Sequence, residues 1–303
     1  MSDPREAAWR ARLEARREEG LLRVLRSAEP GGREGYVNVG GREMLDLSTN
    51  DYLGLARDPR GGEAARAAAA RYGVSAASSR LVAGSTPVHE ELECEAAAWV
   101  GAEAALVFSS GTHANLGTLP VLAGAPDRFA SDALNHASLI DGMRLSRAER
   151  SVYPHADAAA AARALVDGKG GGARWLVTES VFSMEGDLAP LGPLAAACDA
   201  SGAGLYVDEA HALGLLGPSG AGGMDAAGLR GRPGTAILGT FGKALGGFGA
   251  FVAGPRALRE LLVNEARAFI YTTALPPPVA AADLAALRIA RGEPDRRARA
   301  RRR

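Results

Sequence analysis

The chain has 303 residues, 47% of them hydrophobic and 23% charged, enough to bury a large core and too apolar for a wholly disordered chain. Its 35 Lys+Arg balance 35 Asp+Glu, so no global charge draws it to nucleic acid or to an anionic membrane. Cys94 and Cys198 lie far apart in no paired-cysteine motif, which removes a disulfide framework and a zinc ribbon.

The first twenty residues are charged throughout and lack the apolar stretch of a secretory signal. Over 4–28, Trp9, Leu13, Leu21, Leu22 and Leu25 recur among charges, which predicts a surface helix with one buried stripe. Strands are predicted at 36–39 and 44–47, then an alanine-rich helix near 62–72. Ser85-Thr86-Pro87 opens a further helix running through Trp99, with a hydroxyl before a first-turn proline. Ala104–Pro126 is uncharged and long enough to span a bilayer, but its polar residues, two prolines and three glycines predict a strand, a loop and a helix. Apolar strands at 104–108, 128–131, 150–153, 174–178, 203–207, 235–240 and 249–253 alternate with helices near 112–122, 137–147, 156–167 and 190–200. That alternation predicts an α/β domain with a mostly parallel sheet covered on both faces. Ala280–Arg303 starts as an amphipathic helix and ends in an arginine-rich run.

Lysine occurs only at 169 and 243; the other 33 of the 35 basic residues are arginine. A guanidinium does not in practice give up its proton, so a lysine in such a chain marks a place where a titratable amine is needed. Lys169, in DGKGGGA, reads as a solvated loop charge, whereas Lys243, in GTFGKALGGFGAF, is the candidate for chemistry.

In α/β sheets ligands gather at the carboxyl ends of the strands. After 104–108 comes Ser109-Ser110-Gly111-Thr112-His113, whose N–H groups could bind a phosphate or simply make a tight strand–helix turn. Leu205–Val207 delivers Asp208, Glu209 and His211, a set open to three readings: site residues, strand-end caps, or a metal pair that no second cluster supports. The lysine segment fails the phosphate-loop pattern, with Ile237 at its first glycine and Ala244 after the lysine, and it carries no dinucleotide fingerprint. An aspartate followed 35 residues later by a lysine on the next strand end is what pyridoxal phosphate (PLP) chemistry needs. The amine forms a Schiff base with the cofactor aldehyde, and the carboxylate keeps the pyridine nitrogen protonated. Thr240 and the helix start at Gly111–Thr112 would hold the phosphate, and His136 is available to cover the ring.

The segments STNDYLGLA (48–56), SSRLVAGSTPVHEELE (78–93), VFSSGTHAN (107–115), SDALNHASLIDG (131–142), TESVFSMEGDLAPL (178–191), YVDEAHALGLLGPSGAGG (206–223), TFGKALGGFGAFVAG (240–254) and YTTALPPP (271–278) run in one order over nearly the whole chain. In them the sequence resembles the α-oxoamine synthases, PLP-dependent transferases of fold type I. The resemblance implies a mostly parallel seven-stranded sheet in a large domain over 49–280. It also implies an N-terminal helix and small-domain segment over 1–48, and the start of a truncated C-terminal small domain over 281–303. RLVAGSTPVH, DEAHALG and FGKALG most resemble the members that condense L-alanine with pimeloyl-CoA or a pimeloyl carrier protein, losing carbon dioxide, in biotin synthesis.

By the same resemblance Lys243 carries the cofactor, Asp208 faces its ring nitrogen, His211 bonds its phenolic oxygen and His136 stacks on the ring. Gly111, Thr112, Ser183 and Thr240 match further cofactor contacts, Thr112 standing where the family has a larger residue. Thr272 or Thr273 would complete phosphate binding across a homodimer, and Arg23 and Asn50, with His136, would lie near the substrate. No metal, nucleic acid or membrane is implied, and a cytoplasmic location is expected. Two alternatives stand beside this: a sister activity joining glycine to acetyl-CoA, and an inactive interaction protein using Arg296–Arg303.

Overall fold

In a computed structural model, which describes residues 3–33, 35–167 and 171–302, the chain divides into two units, 1–49 and 50–303. Lys169 lies outside the described residues. The first unit holds helix α1 (Pro4–Glu18), capped by Asp3, and an antiparallel sheet of β1 (Ala28–Pro30), β2 (Tyr36–Val39) and β3 (Arg42–Leu45). The helix is shorter than the 4–28 pattern predicts, and none of its residues is buried within the chain: Trp9 and Leu13 stay exposed. The leucines that prolonged the pattern lie past Gly20, outside the helix.

The second unit is built on a seven-stranded sheet. Its strands are β4 (Ala104–Phe108), β5 (Arg128–Asp132), β6 (Glu149–Tyr153), β7 (Arg174–Glu179), β8 (Gly204–Asp208), β9 (Thr235–Thr240) and β10 (Ala250–Gly254), in the order β4-β10-β9-β8-β7-β5-β6. β5 to β9 pair in parallel, and β10 runs antiparallel to both β9 and β4. Six strands therefore finish at one edge of the sheet.

The strands read as apolar runs because both faces are covered. Leu205, Val207 and Ile237 enter one core cluster, while Tyr206, Ala236 and Leu238, alternating with them, enter the other. On the first face lie α3 (Pro87–Val100), α6 (Ala158–Val166), α7 (Leu191–Ser201) and α11 (Pro277–Gly292), which also packs on α2 (Pro59–Tyr72). On the second lie α4 (Gly111–Leu122), α5 (Ala137–Leu145), α9 (Arg256–Glu265) and α10 (Arg267–Ile270). The short α8 (Gly223–Ala226) and α12 (Pro294–Ala300) complete the set, and a π-helical turn spans Arg80–Gly84. Each fully buried leucine contributes about 1.5–3 kcal/mol, so this double layer makes a rigid platform for the strand ends. No helix among the described residues is long and apolar enough to cross a membrane.

Candidate active site

β8 and β9 are neighbours in parallel register, and each hands a polar residue to the same edge. Asp208 closes β8 and is 5% exposed. One of its oxygens accepts from the Asn115 amide at 3.1 Å and the other from the Ala210 N–H at 2.9 Å. Asn115 is itself fixed, donating to Ser138 Oγ at 2.9 Å and accepting from the Tyr206 hydroxyl at 2.8 Å. Thr240 closes β9, and three residues later comes Lys243, in a turn held by bonds from Gly246 N to Lys243 O and from Gly247 N to Phe241 O. Gly246 has φ +63°, and a Cβ there would collide with the backbone of Ala56, so only glycine lets the turn pack this closely.

The Lys243 amine lies 2.6 Å from His211 Nε2. His211 Nδ1 is 2.9 Å from the Tyr52 hydroxyl, which donates to Asn50 Oδ1 at 3.0 Å. Burial, then electrostatic repulsion by Lys243 and His136 nearby, pushes His211 down to about 4, so its ring is neutral near pH 7. A neutral ring permits one consistent direction: Lys243 donates to Nε2, the Nδ1–H donates to Tyr52, and Tyr52 donates to Asn50. Burial also lowers the lysine pKa, opposed by Asp208 and Glu179, so the amine is more readily deprotonated than an ordinary lysine.

Glu179, at the end of β7, pairs in register with Asp208 and is 2% exposed. Burial and the Asp208 charge raise it to about 7, against bonds from the N–H groups of His136 and Ser183 and the pull of Lys243. The bond from His136 N is 2.7 Å. The His136 side chain caps α5, with Nδ1 2.7 Å from Ser138 Oγ. Asp208, His211, Lys243, Asn50 and His136 thus belong to one cluster, joined by bonds or by charge.

The other expected residues fall as follows. Gly111 and Thr112 open α4 behind the Ser110 cap, where first-turn N–H groups have no partner inside the helix, and a Cβ on Gly111 would meet open space. The Thr240 hydroxyl is occupied within the chain, donating to Gly249 O at 2.9 Å and accepting from Gly242 N at 3.2 Å. Ser183 touches the cluster through its backbone. Thr272 and Thr273 line a small cavity with Arg80, Ser109 and Phe269, and no hydrogen bond among the described residues joins them to Lys243. Arg23 belongs to the first unit. Sequence reasoning missed Glu179, Asn115 and Tyr52. Glu179 carries the same signal as Asp208, a polar residue at the end of an apolar run; Asn115 carries none.

Residues 42–303 match the family model of the class I and II aminotransferases. Among curated proteins, the 8-amino-7-oxononanoate synthase of Anaeromyxobacter sp. (strain K) is 52% identical over 95% of this chain and 71% of its own length. That of Trichlorobacter lovleyi is 48% identical over 93% of this chain and 71% of its own. Among solved structures, a serine palmitoyltransferase from S. paucimobilis with PLP and myriocin bound aligns with TM-score 0.91 at 30% identity, covering 98% of this chain and 75% of that one. The 8-amino-7-oxononanoate synthase of Francisella tularensis aligns with TM-score 0.72 at 34% identity, covering 84% and 71%.

Proposed function

The chain belongs to the class I and II aminotransferase family, among its 8-amino-7-oxononanoate synthases, and on that premise we propose how its site works. The reaction is the decarboxylative condensation of L-alanine with a pimeloyl thioester, on CoA or a carrier protein, to give 8-amino-7-oxononanoate. The cofactor is PLP.

The residues fit that cofactor: a half-buried amine with a lowered pKa for the aldehyde, a buried carboxyl for the ring nitrogen, and first-turn N–H groups with no partner inside the helix, at open Gly111, for the phosphate. When bound, PLP supplies an electrophilic aldehyde and a ring that accepts electrons from the substrate carbon. Asp208, braced by Asn115, holds the ring nitrogen. His136 would stack on the ring, and His211, held by Tyr52, would hold the phenolic oxygen. The Lys243 amine takes the Cα proton of alanine and returns one after carbon dioxide leaves, a role that burial favours by lowering its pKa. Ser183 and Thr240 shape the cofactor pocket, Asn50 serves the substrate, and Thr273 of a second copy completes phosphate binding in a cytoplasmic homodimer.

The observation that carries this reading is the Lys243 amine at the strand end beside Asp208, against a neutral imidazole. Adding PLP to the purified chain is expected to raise a visible absorbance band, absent in Lys243→Ala and shifted by L-alanine. The lysine variant should turn over L-alanine and pimeloyl thioester at least about 10³-fold more slowly. A band that survives in Lys243→Ala, or turnover of glycine with acetyl-CoA instead, overturns the assignment.

A further inference from the structure

Asp283, on α11, is completely buried, yet the helix is not held by it. Its Oδ1 accepts from the Phe248 N–H at 3.0 Å, and its Oδ2 has no hydrogen-bond partner among the described residues. Phe248 belongs to the turn that starts at Lys243 and returns to β10, where Phe241 N donates to Gly249 O. The carboxyl presses so closely on this turn that a Cβ on Gly247 would collide with Oδ1. A buried polar group with an unpaired oxygen is costly, and a leucine would fill the same helical position without that cost. The other bonds of the turn come from its own backbone, from the Thr240 hydroxyl on β9 and from His211, so among the described residues Asp283 is its side-chain tie to a helix.

We propose that Asp283 is a positioning residue for Lys243, fixing the 243–249 turn from α11 so that the half-buried amine stays against His211. The proposal rests on the reading of Lys243 as the reactive amine. Its test needs no cofactor, so it stays separate from the PLP spectrum that tests that reading. The chain has only two lysines, so reductive methylation with formaldehyde, followed by peptide mass spectrometry, reports Lys243 with Lys169 as internal reference. In Asp283→Leu the pH midpoint of Lys243 labelling is expected to rise by about one unit, a tenfold loss of free amine near neutrality, as the turn loosens and the amine gains water. Asp283→Asn keeps an acceptor for Phe248 and should hold the wild-type midpoint. A midpoint unchanged in Asp283→Leu, or equally shifted in both variants, overturns the proposal. Should the leucine variant not fold, hydrogen exchange of wild-type protein decides: the Phe248 amide is expected to exchange as slowly as the amides of β9, and rapid exchange overturns it.

Discussion

Glu179 and Asp208 stand side by side at the ends of β7 and β8. Burial and its neighbour raise Glu179 from an ordinary 4.5 to about 7. The folded chain therefore holds a proton there that the unfolded chain has lost between those values. Its contribution is fully present below pH 4.5 and is lost as pH rises through about 7. Glu179→Gln keeps an oxygen for the His136 N–H and removes the titration, so the variant should gain about 3 kcal/mol on wild type between pH 4.5 and pH 8. Denaturant unfolding at several pH values checks this; parallel stability curves would sink it. The carboxyl was legible in the sequence only as the last residue of an apolar strand. Its partner across the register is a property of the strand order, which spacing does not encode. Asp208 and Lys243 could be found because two residue types and two strand ends agreed.

The segment after β7 shows how an element can be clamped by titratable groups. Val181 and Leu188 form an isolated bridge, and between them lie Ser183 and Asp187. His155 reaches this segment from beyond β6, with Nδ1 2.9 Å from Asp132 and Nε2 2.8 Å from Asp187, its ring edge-on to Phe182 at 4.4 Å. The hydrogen bond to Asp132, then that to Asp187, raises the His155 pKa above 6.5. Its stabilisation is fully present below pH 6.5 and disappears as pH climbs through the raised value. The Tm deficit of His155→Gln is therefore expected to be largest near pH 6 and to shrink toward pH 9. Differential scanning calorimetry tests this, and a deficit that grows with pH would refute the clamp. Elements of this kind escape sequence reading, because His155 and Asp187 carry no periodicity. The strands of the seven-stranded sheet were legible to within about a residue at their ends because burial on both faces leaves unbroken apolar runs, whereas the exposed β3 lies two residues before the expected 44–47 and β1 was not foreseen. α9 was not foreseen, and it buries only Leu262 completely, a weak stripe for a pattern to reveal.

At the scale of the whole unit, strand–helix alternation was enough to predict a mostly parallel sheet whose carboxyl strand ends would hold the site. It could not say which helix faces would supply Asn115 and Asp283, since those depend on packing between distant segments. The arginine-rich end raises the same issue, because composition alone leaves it open to nucleic-acid binding. In the fold, Arg296 donates to Asp58 at 2.8 Å, to Glu293 at 2.7 Å and to the Leu53 carbonyl. Arg297 is buried, bonding the carbonyls of Pro218 and Ala290. These guanidiniums join α12 to the segment before α2 and to the loop before α8, so they are structural ties within the second unit. Arg297→Ala takes the donor from the carbonyls of Pro218 and of buried Ala290 and is expected to cost about 2 kcal/mol, lowering Tm by roughly 4–8 °C in a unit of this size. Fluorescence anisotropy with a DNA duplex should show no binding that weakens steeply with salt, in wild type or variant. An unchanged Tm, together with salt-dependent DNA binding lost in Arg297→Ala, would return this end of the chain to the interaction reading.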